Sequence, residues 1–133
     1  MKFLLDTDMV SYALRGQGGV ASQILVRKPS QLAVSSITVA ELRYGADRKG
    51  SQRLHDLVSN FLSEVEVVDF DSDAAAVFGR IGSLLAERGS PIGDFDVLIA
   101  AHAISLKRIL VTNNTKHFSR VPGLKIENWN DAK

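Results

Sequence analysis

The sequence predicts an α/β fold in which a parallel sheet is covered by helices on both faces. Two observations lead there. Short apolar runs recur along the chain, as in strands buried on both sides. Between them lie longer stretches whose apolar residues return at helical spacing.

Lys2–Asp6 is an apolar run ending in an acid and reads as the first buried strand. Asp8 is placed to cap a short helix through about Leu14, and a second helix spans Val20 to Arg27. Lys28-Pro29-Ser30 breaks the chain, and Leu32–Ser35 is the second strand. Thr38 to about Asp47 is helical. Ser51–Ser63 repeats Leu54, Leu57, Val58, Phe61 and Leu62 at helical spacing. Val65–Phe70 forms a third strand, and Asp71-Ser72-Asp73 caps a helix over Ala74–Arg88 that stops at Gly89. After the loop through Gly93, a helix runs from Asp94 to about Leu106. Ile109–Thr112 is a fourth strand, Asn113-Asn114 a turn, and Leu124–Glu127 an edge strand.

With 133 residues, 45% of them apolar and 23% charged, the chain fits one domain over 1–133 that folds without a cofactor. The absence of cysteine excludes disulfides, thiolate catalysis and Cys-based zinc sites, and suits a reducing cytoplasm. The first apolar run stops at Asp6, too early for a signal peptide, and no segment approaches the ~20 apolar residues of a membrane span. Formal charge is +1. If Asp6, Glu41, Asp94 and Asp96 share one pocket, removing those four leaves 16 basic against 11 acidic residues, or +5 elsewhere. An acidic hole in basic surroundings suits a polyanion held against bound cations.

In open parallel sheets, ligands bind beyond the carboxyl ends of the strands. Asp6, Ser35, Ser36 and Thr112–Asn114 occupy such positions. Asp6 ends a strand with no evident structural duty if Asp8 serves as the cap, and so reads as functional. Asp8 stands between capping and function. Glu41 has two readings. Thr38-Val39-Ala40-Glu41 has the pattern of a capping box, yet its helix begins at the ligand-binding end of the sheet, and Gly45 leaves that face open. Asp94 reads first as the N-cap of its helix. Asp96 is followed at helical spacing by Ala100 and Ala103, a stripe small enough to bring the carboxylate against the sheet, while Phe95, Leu98, Ile99 and Ile104 supply core.

Carboxylates gathered in one place require a cation. Two like charges at ~4 Å repel by about 4 kcal/mol at an effective dielectric near 20. Oxygen-only donors suit Mg2+, with Mn2+ as the alternative, rather than zinc. The chemistry this favours is phosphodiester hydrolysis by an activated water. His102, on an apolar helix, reads as packed, His55 as solvated and His117 as a surface residue within reach of RNA; Trp129 reads as an anchor for the tail. Ser-His-Asp sets, P-loops and dinucleotide-binding turns have no counterpart in the sequence.

Four segments stand out together: Leu4-Leu5-Asp6-Thr7-Asp8; Ser35 to Leu42 with Tyr44-Gly45; Pro91-Ile92-Gly93-Asp94-Phe95-Asp96 leading into Ile99-Ala100-Ala101-His102-Ala103; and Val111-Thr112-Asn113-Asn114 with His117-Phe118 and Pro122-Gly123-Leu124. In this order they resemble the PIN-domain ribonucleases, and within them the VapC-type toxins of bacterial toxin–antitoxin pairs. The resemblance implies a three-layer α/β/α fold around a mostly parallel sheet of four or five strands. It carries the family's acidic positions onto Asp6, Glu41 and Asp96, with Asp6 and Asp96 holding metal. The fourth acidic position falls on Asn114, an amide, which leaves a second metal site incomplete unless Asp94 or Asp8 compensates. It further implies Mg2+- or Mn2+-dependent RNA cleavage, a homodimer, a VapB-type antitoxin in the active-site groove, and a tRNA target.

Three other readings compete. Asp6-Thr7-Asp8-Met9-Val10 fits the opening motif of haloacid-dehalogenase-type phosphatases, but the acidic pair Asp94 and Asp96 precedes the threonine-bearing strand instead of following it. A receiver-like signalling module needs a phosphoacceptor aspartate at a strand end, and Asp56 lies within an apparent helix. A catalytically degenerate RNA-binding PIN module is compatible with Asn114.

Overall fold

The computed structural model describes residues 1–130. Five strands form one sheet: β1 (Phe3–Leu5), β2 (Leu32–Ser35), β3 (Glu66–Val68), β4 (Ile109–Val111) and β5 (Ile126–Glu127). Their order is β3-β2-β1-β4-β5 and every pairing is parallel. The sheet has the five strands and edge β5 expected from the sequence.

The helices are α1 (Thr7–Leu14), α2 (Val20–Leu25), α3 (Ser36–Arg48), α4 (Gln52–Leu62), α5 (Ser72–Glu87), α6 (Asp94–Leu106) and the short α7 (Thr115–Phe118), with a 3-10 turn over Pro29–Gln31. Successive side chains of a strand point to opposite faces, and β1 shows the consequence. Leu4 packs with Ala33, Leu110, Ile81, Leu85 and Ile99 on the α5–α6 side. Phe3 and Leu5 pack with Met9, Val10, Val34, Leu42 and Val58 on the α1–α4 side. The result is the expected three-layer α/β/α sandwich.

Two connections, β1 to β2 and β2 to β3, move outward on one side of β1. The chain then returns through α5 and α6 to place β4 on the other side. The winding reverses between β1 and β4, and such a reversal opens a crevice at the carboxyl ends of the two strands. Leu5 pairs in register with Val111, so Asp6 and Thr112 emerge side by side at that crevice.

Three expected caps move, and at two of them the strand-to-helix junction is tighter than the sequence pattern suggests. Asp6, not Asp8, is the N-cap of α1, its Oδ1 accepting the Met9 N–H at 2.8 Å. Ser35, not Thr38, caps α3 and accepts the Ile37 N–H at 3.0 Å, which dissolves the Thr38–Glu41 box. Gly93 precedes α6, so Asp94 is its first helical residue instead of its cap. Where a strand feeds a helix without a loop, the last extended residue becomes the cap. Ala100 and Ala103 are fully buried, as the small-residue stripe anticipates, but Phe95 is 54% exposed and contributes no core. Trp129 is buried edge-on against Phe3 with the Arg27 guanidinium 3.9 Å above its ring, the anchoring role expected of it.

Candidate active site

Asp6, Asp8, Glu41 and Asp96, remote in sequence, line one cavity of about 70 Å3 together with Thr7 and Ile99. β1 delivers Asp6, the first turn of α1 delivers Thr7 and Asp8, the second turn of α3 delivers Glu41, and the first turn of α6 delivers Asp96. All lie at the carboxyl edge of the sheet. A second, larger hollow of about 220 Å3 shares Thr7, Asp8 and Glu41 and extends between α1, α3 and α4, with Arg15 and Lys49 on its walls. Gly45 lines this hollow, and a Cβ added there would meet nothing within 4 Å, so the open face anticipated beside Glu41 is present.

Asp6 is almost wholly buried. Besides the Met9 amide, the Thr112 hydroxyl bonds it, and that hydroxyl oxygen accepts the Asn114 N–H at 3.0 Å. Burial nevertheless dominates. It pushes the Asp6 carboxyl from 3.8 to about 7, against the two hydrogen bonds and with smaller upward contributions from the charges of Asp8 and Asp96. Glu41 is half-buried and likewise raised, first by burial and then by Asp96 and Asp8. The Thr7 hydroxyl opposes this by donating to Glu41 Oε1 at 2.6 Å, with the Thr38 hydroxyl 3.2 Å from Thr7. Asp96 is raised chiefly by burial and held back by His117, whose Nδ1 stands 3.9 Å from Asp96 Oδ2. Three acids disfavour ionisation at once because each is desolvated and each faces another charge.

The other sequence candidates divide. Asp8 is exposed but borders the cavity. Asp94 is exposed and lines a different hollow, against Phe78, Leu85 and Pro91, so the structure does not bring it to the site. Asn114 reaches the carboxylates only indirectly, its Nδ2 2.9 Å from His117 Nδ1. His117 is therefore a site neighbour and more than a surface residue. His102 is buried, Nδ1 2.8 Å from Ser35 Oγ, as a packed histidine should be. His55 is not simply solvated: Nε2 meets Asp47 Oδ1 at 2.7 Å and Nδ1 meets Arg43. Sequence reasoning missed Thr7, although it lies between two residues singled out, and read His117 as a surface residue without its contact to Asp96.

Among the described residues, no three carboxylate or imidazole groups converge closely enough to ligate one ion directly. The donor set nonetheless fits a hard cation. Mg2+ retains several of its waters and needs only one or two carboxylates, and the cavity has room for water. A divalent charge there would offset the cost that holds these acids back from ionising.

A doubly wound sheet carrying a cluster of acids at its winding reversal defines the class: an α/β protein with a carboxylate site at the carboxyl edge of its sheet. The chain belongs to the PIN domain family, whose model matches residues 3–124. It is 38% identical over 130 residues to the tRNA(fMet)-specific endonuclease VapC of Salmonella typhimurium, covering 97% of this chain and 98% of that one. Identity to ribonuclease VapC2 of Haemophilus influenzae is 39% over the same shares of the two chains. The crystal structure of DNA-bound VapBC from Salmonella typhimurium superposes with a TM-score of 0.91 at 37% identity, covering 97% of this chain and 98% of that one.

Proposed function

We propose that this chain is a metal-dependent endoribonuclease, the toxin of a VapBC-type pair, with Asp6, Glu41 and Asp96 as its catalytic carboxylates. The observation that carries the reading is the meeting of these three acids in one small cavity at the winding reversal. Relatives named as ribonucleases and as a tRNA endonuclease support RNA, and tRNA within it, as the substrate class. A VapBC complex among the structural neighbours supports a VapB-type antitoxin as the inhibitor.

Asp6 and Asp96 would hold Mg2+, or Mn2+, directly or through water. The chemistry such an ion supplies when bound is a more acidic water and a partner for phosphate charge. Thr7 fixes Glu41 through Oε1 and leaves Oε2 to orient the attacking water and take its proton. A carboxylate whose affinity for protons is raised serves this purpose better than an ordinary one. Water adds across one P–O bond, leaving a phosphate on one fragment and a hydroxyl on the other. Arg15 and Lys49 line the hollow along which the strand approaches. Asn114, an amide, adds no carboxylate for a second ion.

We also assign a homodimer and action in the cytoplasm, where the RNA and the antitoxin would be met. Among the described residues, no helix is long and apolar enough to cross a membrane. The test is cleavage of a tRNA pool by the purified protein with Mg2+ or Mn2+, with EDTA, and by Asp6→Ala and Asp96→Ala. Cleavage that EDTA abolishes and both folded variants lack is the expected result. RNA cut equally well by the folded variants removes the assignment, and release of phosphate from a small monoester instead of RNA cleavage favours the phosphatase.

A further inference from the structure

The geometry points to a second RNA contact at the opposite end of the sheet, where Lys2, Lys107 and Lys125 grip the phosphate backbone of the substrate at a distance from the cleavage site. The inference rests on the ribonuclease reading and names how that substrate is held.

A cleft of about 440 Å3 opens where β1, β4 and β5 begin, bounded by the end of α6 and the loop at Gly123. Its charged lining is Lys2, Lys107, Arg108 and Lys125, without an aspartate or glutamate. Arg108 is already committed, donating to the Phe3 carbonyl at 3.2 Å and to Glu66 Oε1 at 3.0 Å. The three lysines are exposed, and none has a salt-bridge partner among the described residues. Three unpaired ammonium groups around one concavity make a local positive potential on a chain whose formal charge is only +1.

Lys107 supplies the independent observation. It is the residue beyond α6 in a Schellman-type stop: the Arg108 N–H returns to the Ala103 carbonyl at 3.0 Å and the Lys107 N–H to the Ile104 carbonyl at 3.1 Å. Its backbone is left-handed, φ 56 and ψ 40, and it is the only non-glycine with positive φ among the described residues. Glycine is the usual occupant of that position because a Cβ is strained there. A strained lysine whose side chain lines a basic cleft is a residue held for its charge. The same motif satisfies late carbonyls of α6, which would otherwise repel an anion.

Lys2 and Asp6 flank β1, four residues apart, so the cleft lies roughly 13 Å from the catalytic edge at ~3.3 Å per residue. That distance runs through the buried sheet and the two ends face opposite ways, so an RNA large enough to pass round the domain can meet both, whereas one of a few nucleotides held at the carboxylates stays at its own end. Phosphate contacts of this kind position the substrate without reading its sequence.

The experiment compares wild type with Lys107→Gly and with the triple variant Lys2→Gln, Lys107→Gln, Lys125→Gln. A labelled RNA hairpin is bound in EDTA at several salt concentrations, and a short single-stranded RNA is cleaved in Mg2+. The triple variant should bind the hairpin more weakly, with the slope of log K against log salt smaller by about two to three. Its kcat/KM on the short RNA should stay within about twofold of wild type. Lys107→Gly should unfold at a higher temperature than wild type and yet lose hairpin affinity, a pairing that a merely structural lysine cannot produce. Unchanged hairpin affinity and salt slope in the triple variant overturn the inference while wild-type cleavage still upholds the ribonuclease reading. A wild type that cleaves no RNA instead sinks that reading.

Discussion

Replacing Asp6 with asparagine tests the electrostatic strain directly. The Asp6 carboxyl is raised from 3.8 to about 7 because it is buried, so its ionised form destabilises the folded chain. The folded pKa lies above the unfolded one. The contribution to stability is therefore intact below about pH 4 and is lost as the pH rises through 7. At pH 8 the metal-free penalty reaches about 4 kcal/mol, at about 1.36 kcal/mol for each pH step between the two values. Asparagine keeps an oxygen for the Met9 amide and removes the charge, at a cost of about 1 kcal/mol for the disturbed Thr112 bond. In EDTA at pH 8, Asp6→Asn should thus be more stable than wild type by about 2–3 kcal/mol in urea unfolding. The gap should close towards pH 4. Asp6→Ala should gain less than Asp6→Asn by about 1 kcal/mol, because it also loses the helix cap. Equal stability of Asp6→Asn and wild type at pH 8 would refute the idea that this acid is held ionised at a cost.

Millimolar Mg2+ should raise the melting temperature of wild type at pH 8 and leave Asp6→Asn nearly unmoved in differential scanning fluorimetry; an equal shift in both excludes Asp6 as a ligand. His117→Ala removes the group that keeps the Asp96 carboxyl from rising further, so the acid limb of kcat/KM should move to higher pH, and a limb that stays in place argues against it. Thr7→Ala frees Glu41 Oε1 and should lower kcat about tenfold or more with Thr7→Ser restoring most of it, as single-turnover cleavage would show. Leu4→Ala, in the middle of the fully buried central strand, should cost about 2–5 kcal/mol in urea unfolding without changing the pH profile of the remaining activity.

The order of elements was legible because each strand is a short apolar run and each helix has its own period, signals that depend on near neighbours. Asp6 and Asp96 were singled out in the sequence on different grounds: for Asp96 the buried alanines behind it are there, but for Asp6 the premise that Asp8 would do the capping fails, because Asp6 is itself the cap. The caps were not legible. Capping rules read a local pattern, and at Asp6 and Ser35 that pattern was shifted because the strand runs into its helix with no loop between them, whereas before α6 the last loop residue, Gly93, stands at the cap position without a side chain to fill it. Asp94 is the first residue of α6 instead of its cap, and it lines the hollow against α5 and not the cavity. His117 could not be found from its neighbours, since its contact with Asp96 exists only once α7 is folded back beside the start of α6. Phe95 shows the opposite failure. Its apolar character suggested core, yet the helix face that it occupies looks outward.

The shifted caps have a functional consequence. At Asp6 one oxygen is fixed by the Met9 amide, so the carboxylate cannot rotate away from the cavity without uncapping α1. At Ser35 the hydroxyl caps α3 and meets His102 on α6, so the helices bearing Glu41 and Asp96 are tied together below the site. The side chains that start the helices thus also set the spacing of the acids. Repulsion among those acids is borne by elements that the core on both faces of the sheet already holds in place. A looser junction, with separate residues for capping and for the cluster, would let the carboxylates relax apart and lose the preorganised set of oxygens that the proposed cation would use.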